Sequence, residues 1–141
     1  MVITINGRPG SGKSTVARRL AEHLGVPRLY VGDLRRTMAR ERGMTLAEFN
    51  TLGETDPTTD KIPDDQMVAF AQANPDEVIA TRTGLHLIPD SLKIFLDVSE
   101  EEAARRIFST LQRDPVSRNE GKGLHTEAAV LASVKERIRN D

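Results

Sequence analysis

Eight residues near the start of the chain, Gly7, Arg8, Pro9, Gly10, Ser11, Gly12, Lys13 and Ser14, complete the pattern G-x-x-x-x-G-K-[ST], and Thr15 follows them. Side chains of these types at this spacing can hold the phosphates of a nucleoside triphosphate. The glycines remove Cβ atoms, so that successive backbone N–H groups curl round phosphate oxygens. Lys13 reaches the β- and γ-phosphates, and the Ser14 hydroxyl takes a place on the Mg²⁺ that bridges them. The pattern carries that meaning only between a strand and a helix. Val2-Ile3-Thr4-Ile5 reads as a buried strand, and between Ser14 and Leu24 apolar residues recur at Val16, Leu20 and Leu24, the spacing of one helix face. The loop thus opens a helix, whose dipole adds partial positive charge at the same point.

The elements that must position this loop follow in alternation. Gly25 and Pro27 end the first helix, and Arg28 to Val31 makes a short strand. Gly32-Asp33 begins a helix to about Arg42, with Asp33 as its cap and Leu34 and Met38 on its inner face; Arg35, Arg40 and Arg42 read as surface residues. Gly43 closes it. Thr45 and Glu48 form a capping box for the next helix, with Met44 and Phe49 at the staple positions. Pro63 opens another helix to about Asn74, turning Met67, Phe70 and Ala71 inward, with Asp64 and Asp65 capping or solvating it. Glu77 to Arg82 and Leu92 to Val98 are continuous apolar strands, which predicts burial on both faces and a parallel sheet. Ser99 and Glu102 make a second capping box. Ala103, Ala104, Ile107 and Leu111 form that helix's apolar stripe, with Arg105 read as surface. Residues 113–125 form a polar loop. A last helix from Thr126 buries Leu131, Val134 and Ile138 and exposes Lys135, Arg137 and Arg139. The class is α/β, three layers with a parallel sheet.

Composition narrows the function. The 141 residues make one domain, and 20 Lys plus Arg against 21 Asp plus Glu give no overall basic field for nucleic acid. Absence of cysteine excludes a disulfide scaffold and Cys-ligated zinc, and fits a reducing compartment. His23, His86 and His125 lack metal spacing. Met1 runs into the first strand and no apolar stretch approaches about 20 residues, so the expectation is a cytoplasmic protein without a membrane segment. A kinase needs a second anion site facing the first and a cover that excludes water. Asp33 and Arg36 fall at the C-terminal edge of the sheet, where such folds bind ligands, and Arg113, Arg118 and Lys122 supply cations to the loop over 113–125.

Gly7 to Thr15, Gly32-Asp33-Leu34-Arg35-Arg36, Ala39 to Phe49, and Arg82 followed by Leu92-Lys93-Ile94-Phe95-Leu96 together resemble the cytidylate kinases, most closely the short archaeal-type branch. The resemblance covers nearly the whole chain, and Ala39 to Phe49 is its most discriminating stretch. It implies Mg²⁺-dependent transfer of the γ-phosphoryl group of ATP to CMP or dCMP. Arg36 and Arg82 would hold the acceptor, residues 33–74 would form its helical insert, and Arg106, Arg113 and Arg118 would close over the transferring group. Relatives carry an acidic residue shortly before the arginine of strand three, where Ala80 stands here, and bacterial ones an aspartate after it, where Thr83 stands. The implied sheet order is 2-3-1-4-5. Four strands are visible, so the expected order is 2-3-1-4 and the chain reads as C-terminally incomplete. Two other readings stay open: a kinase of another small acceptor, such as AMP, UMP or a hydroxyl metabolite, and a catalytically weak nucleotide-binding module.

Overall fold

The computed structural model describes residues 1–114 and 124–140. At its centre, β1 (Val2–Gly7) pairs in parallel with β3 (Glu77–Ala80) on one side and β4 (Leu92–Leu96) on the other, and β2 (Arg28–Tyr30) pairs with β3. The order is 2-3-1-4, as expected. Seven helices surround this sheet among the described residues: α1 (Lys13–Leu24), α2 (Val31–Glu41), α3 (Leu46–Leu52), α4 (Thr58–Ala73), α5 (Gly84–Leu87), α6 (Glu100–Arg113) and α7 (Glu127–Asn140).

Side chains of opposite parity along β1 serve the two sheet faces. Ile3 and Ile5 pack with Val78, Ala80 and the small residues Ala17 and Ala21 of α1. The buried stripe of α1 is therefore alanine, which lets the helix lie close to the sheet. Val16 and Leu24, read from spacing as its inner face, are exposed, and Leu20 is half-buried. On the other face Ile79 packs with Val31 and Met67, bringing α2 and α4 over the sheet. A third cluster joins α6 to α7 through Ala103, Ala104, Ile107, Val130 and Val134, with Leu111, Leu131 and Ile138 half-buried around it.

Several boundaries depart from the expectation. β2 ends at Tyr30, and Val31 already belongs to α2, so Asp33 lies in the first turn of that helix and does not cap it. The buried residues of α2 are Val31, Arg35 and Ala39, with Leu34 and Met38 half-buried. β3 stops at Ala80, leaving Arg82 outside the strand, and the short α5 that follows was not foreseen. β4 stops at Leu96 and is not buried on both faces: among the described residues it is the edge that the order 2-3-1-4 makes it, and Phe95 is 63% exposed. Ser99 caps α6 by accepting from the Glu102 N–H (3.1 Å), but the Glu102 carboxylate turns to Arg105 and Arg106 and does not complete a box. Thr126 caps α7 by accepting from the Ala129 N–H (3.1 Å). The box of Thr45 with Glu48 is complete.

α4 begins five residues before Pro63, which therefore lies inside a helix. Proline has no N–H, so the Thr59 carbonyl four residues earlier loses its helical donor. Arg35 replaces it: one Nη donates to that carbonyl (3.1 Å) and ion-pairs with Asp60, the other donates to Asn50 Oδ1 (2.9 Å), and the guanidinium lies 5.3 Å from the centre of the Phe49 ring. The residue read as a surface arginine is 8% exposed and ties α2, α3 and α4 together.

Glu77 is 1% exposed and neither carboxylate oxygen has a hydrogen-bond partner among the described residues. Burial pushes its pKa up from 4.5 to about 7, the positive N-terminus opposing. The protonated form is the one the fold favours. Its contribution is complete below the ordinary value near 4.5 and is lost as pH rises through about 7. A shift of this size corresponds to roughly 3 kcal/mol. Chemical denaturation should therefore show the wild type losing stability between pH 5 and pH 8 and Glu77→Gln staying nearly level; parallel profiles would contradict this account.

Candidate active site

The loop between β1 and α1 is held in shape by close backbone approach. Gly7 (φ 150°) leaves no room for a side chain, since a Cβ there would stand 2.4 Å from the Leu96 carbonyl oxygen. Gly10 (φ 75°) meets α6 in the same way, 2.7 Å from the Ala103 carbonyl oxygen. Gly12 (φ 91°) stands at the N-terminus of α1 in open space, where the left-handed backbone alone favours glycine. Lys13 folds back over the loop, its Nζ donating to the carbonyls of Gly7 (2.7 Å) and Arg8 (3.0 Å).

Pro9, Gly10, Ser11, Gly12, Lys13, Ser14 and Thr15 form one wall of a cavity of about 280 Å³. The opposite wall comes from α2 and the helices Arg35 binds to it. Arg36 lines it, with Nη1 donating to Asp33 (2.8 Å). Gly32 makes room for that guanidinium, for a Cβ there would stand 3.2 Å from it. Asp33 does not itself line the cavity, so its observed part is to orient Arg36.

Past the end of β3, the buried Thr81 accepts at Oγ1 from the N–H groups of both Thr83 and Gly84 (3.1 Å each), which sets the turn carrying Arg82 and Thr83 to the cavity. Arg106 reaches it from α6. Its Nε donates to Glu102 (2.9 Å), and hydrogen bonds from Arg105 and Arg106 bring the Glu102 carboxyl down to about 2. Arg105 is exposed, as expected. Arg113 ends α6, its Nε donating to the Ser109 carbonyl (3.4 Å), and does not line the cavity. Arg118 and Lys122 lie outside the described residues, as does most of the loop over 113–125.

Arg137 and Asp64 are among the cavity residues that escaped the sequence reading. Arg137, expected on the exposed face of the last helix, is half-buried and lines the cavity beside Arg106 and Thr110. Asp64, expected to cap or solvate α4, lies within that helix, lines the cavity and accepts at Oδ1 from the Thr83 hydroxyl (2.8 Å). The helix spacing from Val134 brings Ile138 back to the apolar face but says nothing of which neighbour its flank meets. A signal for Asp64 existed, since it falls three residues before the buried Met67.

A parallel sheet ordered 2-3-1-4 with this loop after its first strand defines a P-loop nucleotide-binding domain of the kinase type. The family model described as an AAA domain matches residues 3–121. The chain belongs to the cytidylate kinase family. It is 37% identical over 141 residues to the cytidylate kinase of Halorubrum lacusprofundi, covering 99% of this chain and 71% of that one. With the cytidylate kinase of Halobacterium salinarum it is 40% identical over 119 residues, 83% of this chain and 62% of that one, so it spans about three fifths of that relative. Among solved structures, shikimate kinase from Acinetobacter baumannii in complex with shikimate (TM-score 0.55, 18% identity, 97% of this chain and 76% of that one) has the same fold. So has shikimate kinase from Bacteroides thetaiotaomicron (TM-score 0.55, 16%, 99% and 96%).

Gly10 meets α6 whereas Gly12 meets nothing, which gives a direct check. Gly12→Ala pays the left-handed backbone strain, about 1–2 kcal/mol. Gly10→Ala adds a clash with the backbone of α6. Urea denaturation should show the Gly10 variant as clearly the less stable; equal midpoints would mean that α6 does not rest on the loop.

Proposed function

We propose that the chain transfers the γ-phosphoryl group of ATP to a cytidine monophosphate, CMP or dCMP, giving ADP and the corresponding diphosphate. The observation that carries this is one cavity lined by the phosphate loop and by Arg36, Arg82, Arg106 and Arg137, which come from α2, the turn after β3, α6 and α7. The names of the relatives supply the acceptor. A monophosphate enters as a near-dianion at pH 7, its second pKa being about 6. Its oxygen attacks the γ-phosphorus, the bond to the β–γ bridging oxygen breaks, and ADP leaves with the electron pair. No proton need be removed from the attacking oxygen.

The protein's part is then charge and position. The loop N–H groups and Lys13 hold the ATP phosphates, exchanging the Lys13 contacts to Gly7 and Arg8 for phosphate oxygens. Arg36, oriented by Asp33, and Arg82, set by Thr81, hold the acceptor phosphate in line. Arg106 and Arg137 add positive charge where it is spread over the transferring group. Ser14, exposed at the first turn of α1 and facing the cavity, supplies the loop's hydroxyl for Mg²⁺. No group of three acidic or histidine side chains that could hold a metal stands among the described residues. When bound, Mg²⁺ neutralises charge on the β- and γ-oxygens. No helix among the described residues is long and apolar enough to cross a membrane.

Coupled measurement of ADP release tests the assignment. Lys13→Ala should lower CMP-dependent release at least about 100-fold while melting stays close to that of the wild type. Full activity in that variant would sink the reading. Arg36→Ala should raise the acceptor KM and lower kcat with ATP affinity unchanged, and a loss of ATP affinity in its place would mean that the two sites are interchanged.

A further inference from the structure

The part of the cavity formed by the insert is unlike the rest. Asp64 and Asp60 line it together with Asn50 and Leu46. Asp60 is engaged by Arg35. Asp64 is held differently: its Oδ1 accepts from the Thr83 hydroxyl (2.8 Å), while Oδ2 accepts from no described residue. Burial raises its pKa, with the Thr83 hydrogen bond opposing. A carboxylate in such a place repels phosphate, so it does not belong to the anion sites. An ionised carboxylate can only accept, so the partner that suits Oδ2 is a hydrogen-bond donor such as an N–H group. Asn50 adds a complementary atom. Arg35 is donor-only and binds Asn50 Oδ1 (2.9 Å), which fixes the amide orientation and leaves Nδ2 as a donor on the same cavity.

We propose that Asp64, oriented by Thr83, selects the acceptor's base by accepting a hydrogen bond from an exocyclic amino group, so that a 4-aminopyrimidine is taken over its 4-oxo counterpart. This rests on the reading that the acceptor nucleotide occupies the α2–α4 side of the cavity. Asn50 meets the ring carbonyl common to both bases and adds affinity without choosing between them. A 4-oxo group sets a second acceptor against Oδ2 and leaves the carboxylate without its donor, the kind of mismatch that a binding site rejects strongly.

Equilibrium binding of CMP and UMP by titration calorimetry, with turnover measured separately, tests this. The wild type should bind CMP at least about tenfold more tightly than UMP. Asp64→Asn, whose amide can turn to donate, should reduce that ratio at least about tenfold, chiefly by weakening CMP. Thr83→Val keeps the shape, removes the orienting hydroxyl and should shift the ratio in the same direction by less. A wild-type ratio near one, or an Asp64→Asn protein that weakens both nucleotides equally, overturns the proposal and reduces Asp64 to a packing residue. If Asp64 controls the CMP preference but no ADP is released, the inference stands and the kinase reading fails. Turnover with both nucleotides, indifferent to Asp64→Asn, has the opposite meaning. Binding of neither nucleotide removes both.

Discussion

One guanidinium bears the geometry of the cavity's α2–α4 side. Pro63 deprives the buried Thr59 carbonyl of its helical donor, and Arg35 supplies another from a different helix while also engaging Asp60, Asn50 and the Phe49 ring. Leaving that carbonyl unpaired costs about 1–3 kcal/mol, and a hydrogen bond from a charged donor contributes about as much. A lysine at this position has no planar fork and cannot serve three partners in one plane. Because Arg35 and Arg36 are neighbours on α2, the contact that pins α2 to α3 and α4 also fixes where Arg36 faces the cavity. Gly32 then leaves the space its side chain occupies.

The phosphate loop has its own constraint, made of backbone alone. Gly7 lies against the Leu96 carbonyl and Gly10 against that of Ala103, so the loop is clamped between the end of β4 and the first turn of α6. Arg106 follows Ala103 by three residues on α6, close to one helical turn. The same contact that shapes the loop thus places a cation beside it. With a net charge of −1 the chain has no general attraction for anions. The positive charge comes from bringing loop amides, Lys13 and arginines of three helices and the turn after β3 to one cavity, while Asp60 and Asp64 keep another part of it acidic.

Burial of Glu77 shows a different balance. Its buried carboxyl is not part of the cavity lining and has no hydrogen-bond partner among the described residues, so burial favours the protonated form. The residues that follow it on the strand, Val78 and Ile79, are fully buried. The strand that carries the Thr81 turn into the site therefore has a pH-dependent foundation.

Local rules made much of this readable from the residues. The phosphate loop needs one strand, one helix and three glycines, all within a few residues of one another, and the box of Thr45 with Glu48 spans a single turn. Gly25 and Gly43 adopt the left-handed conformation that ends a helix. Strand order came with the family resemblance and holds in the fold. What the sequence could not decide are contacts between elements far apart in the chain. Arg35 looks like any arginine on an amphipathic helix until α4 brings it a carbonyl with no donor, 24 residues away. Arg137 and Asp64 follow helical periodicities that describe each helix's own buried stripe, but the flanks that meet the cavity are set by how α7 and α4 pack. The apolar run of β4 read as buried on both faces although the expected order 2-3-1-4 makes it an edge, and it is exposed there among the described residues, because composition records how apolar a strand is and not which neighbours cover it.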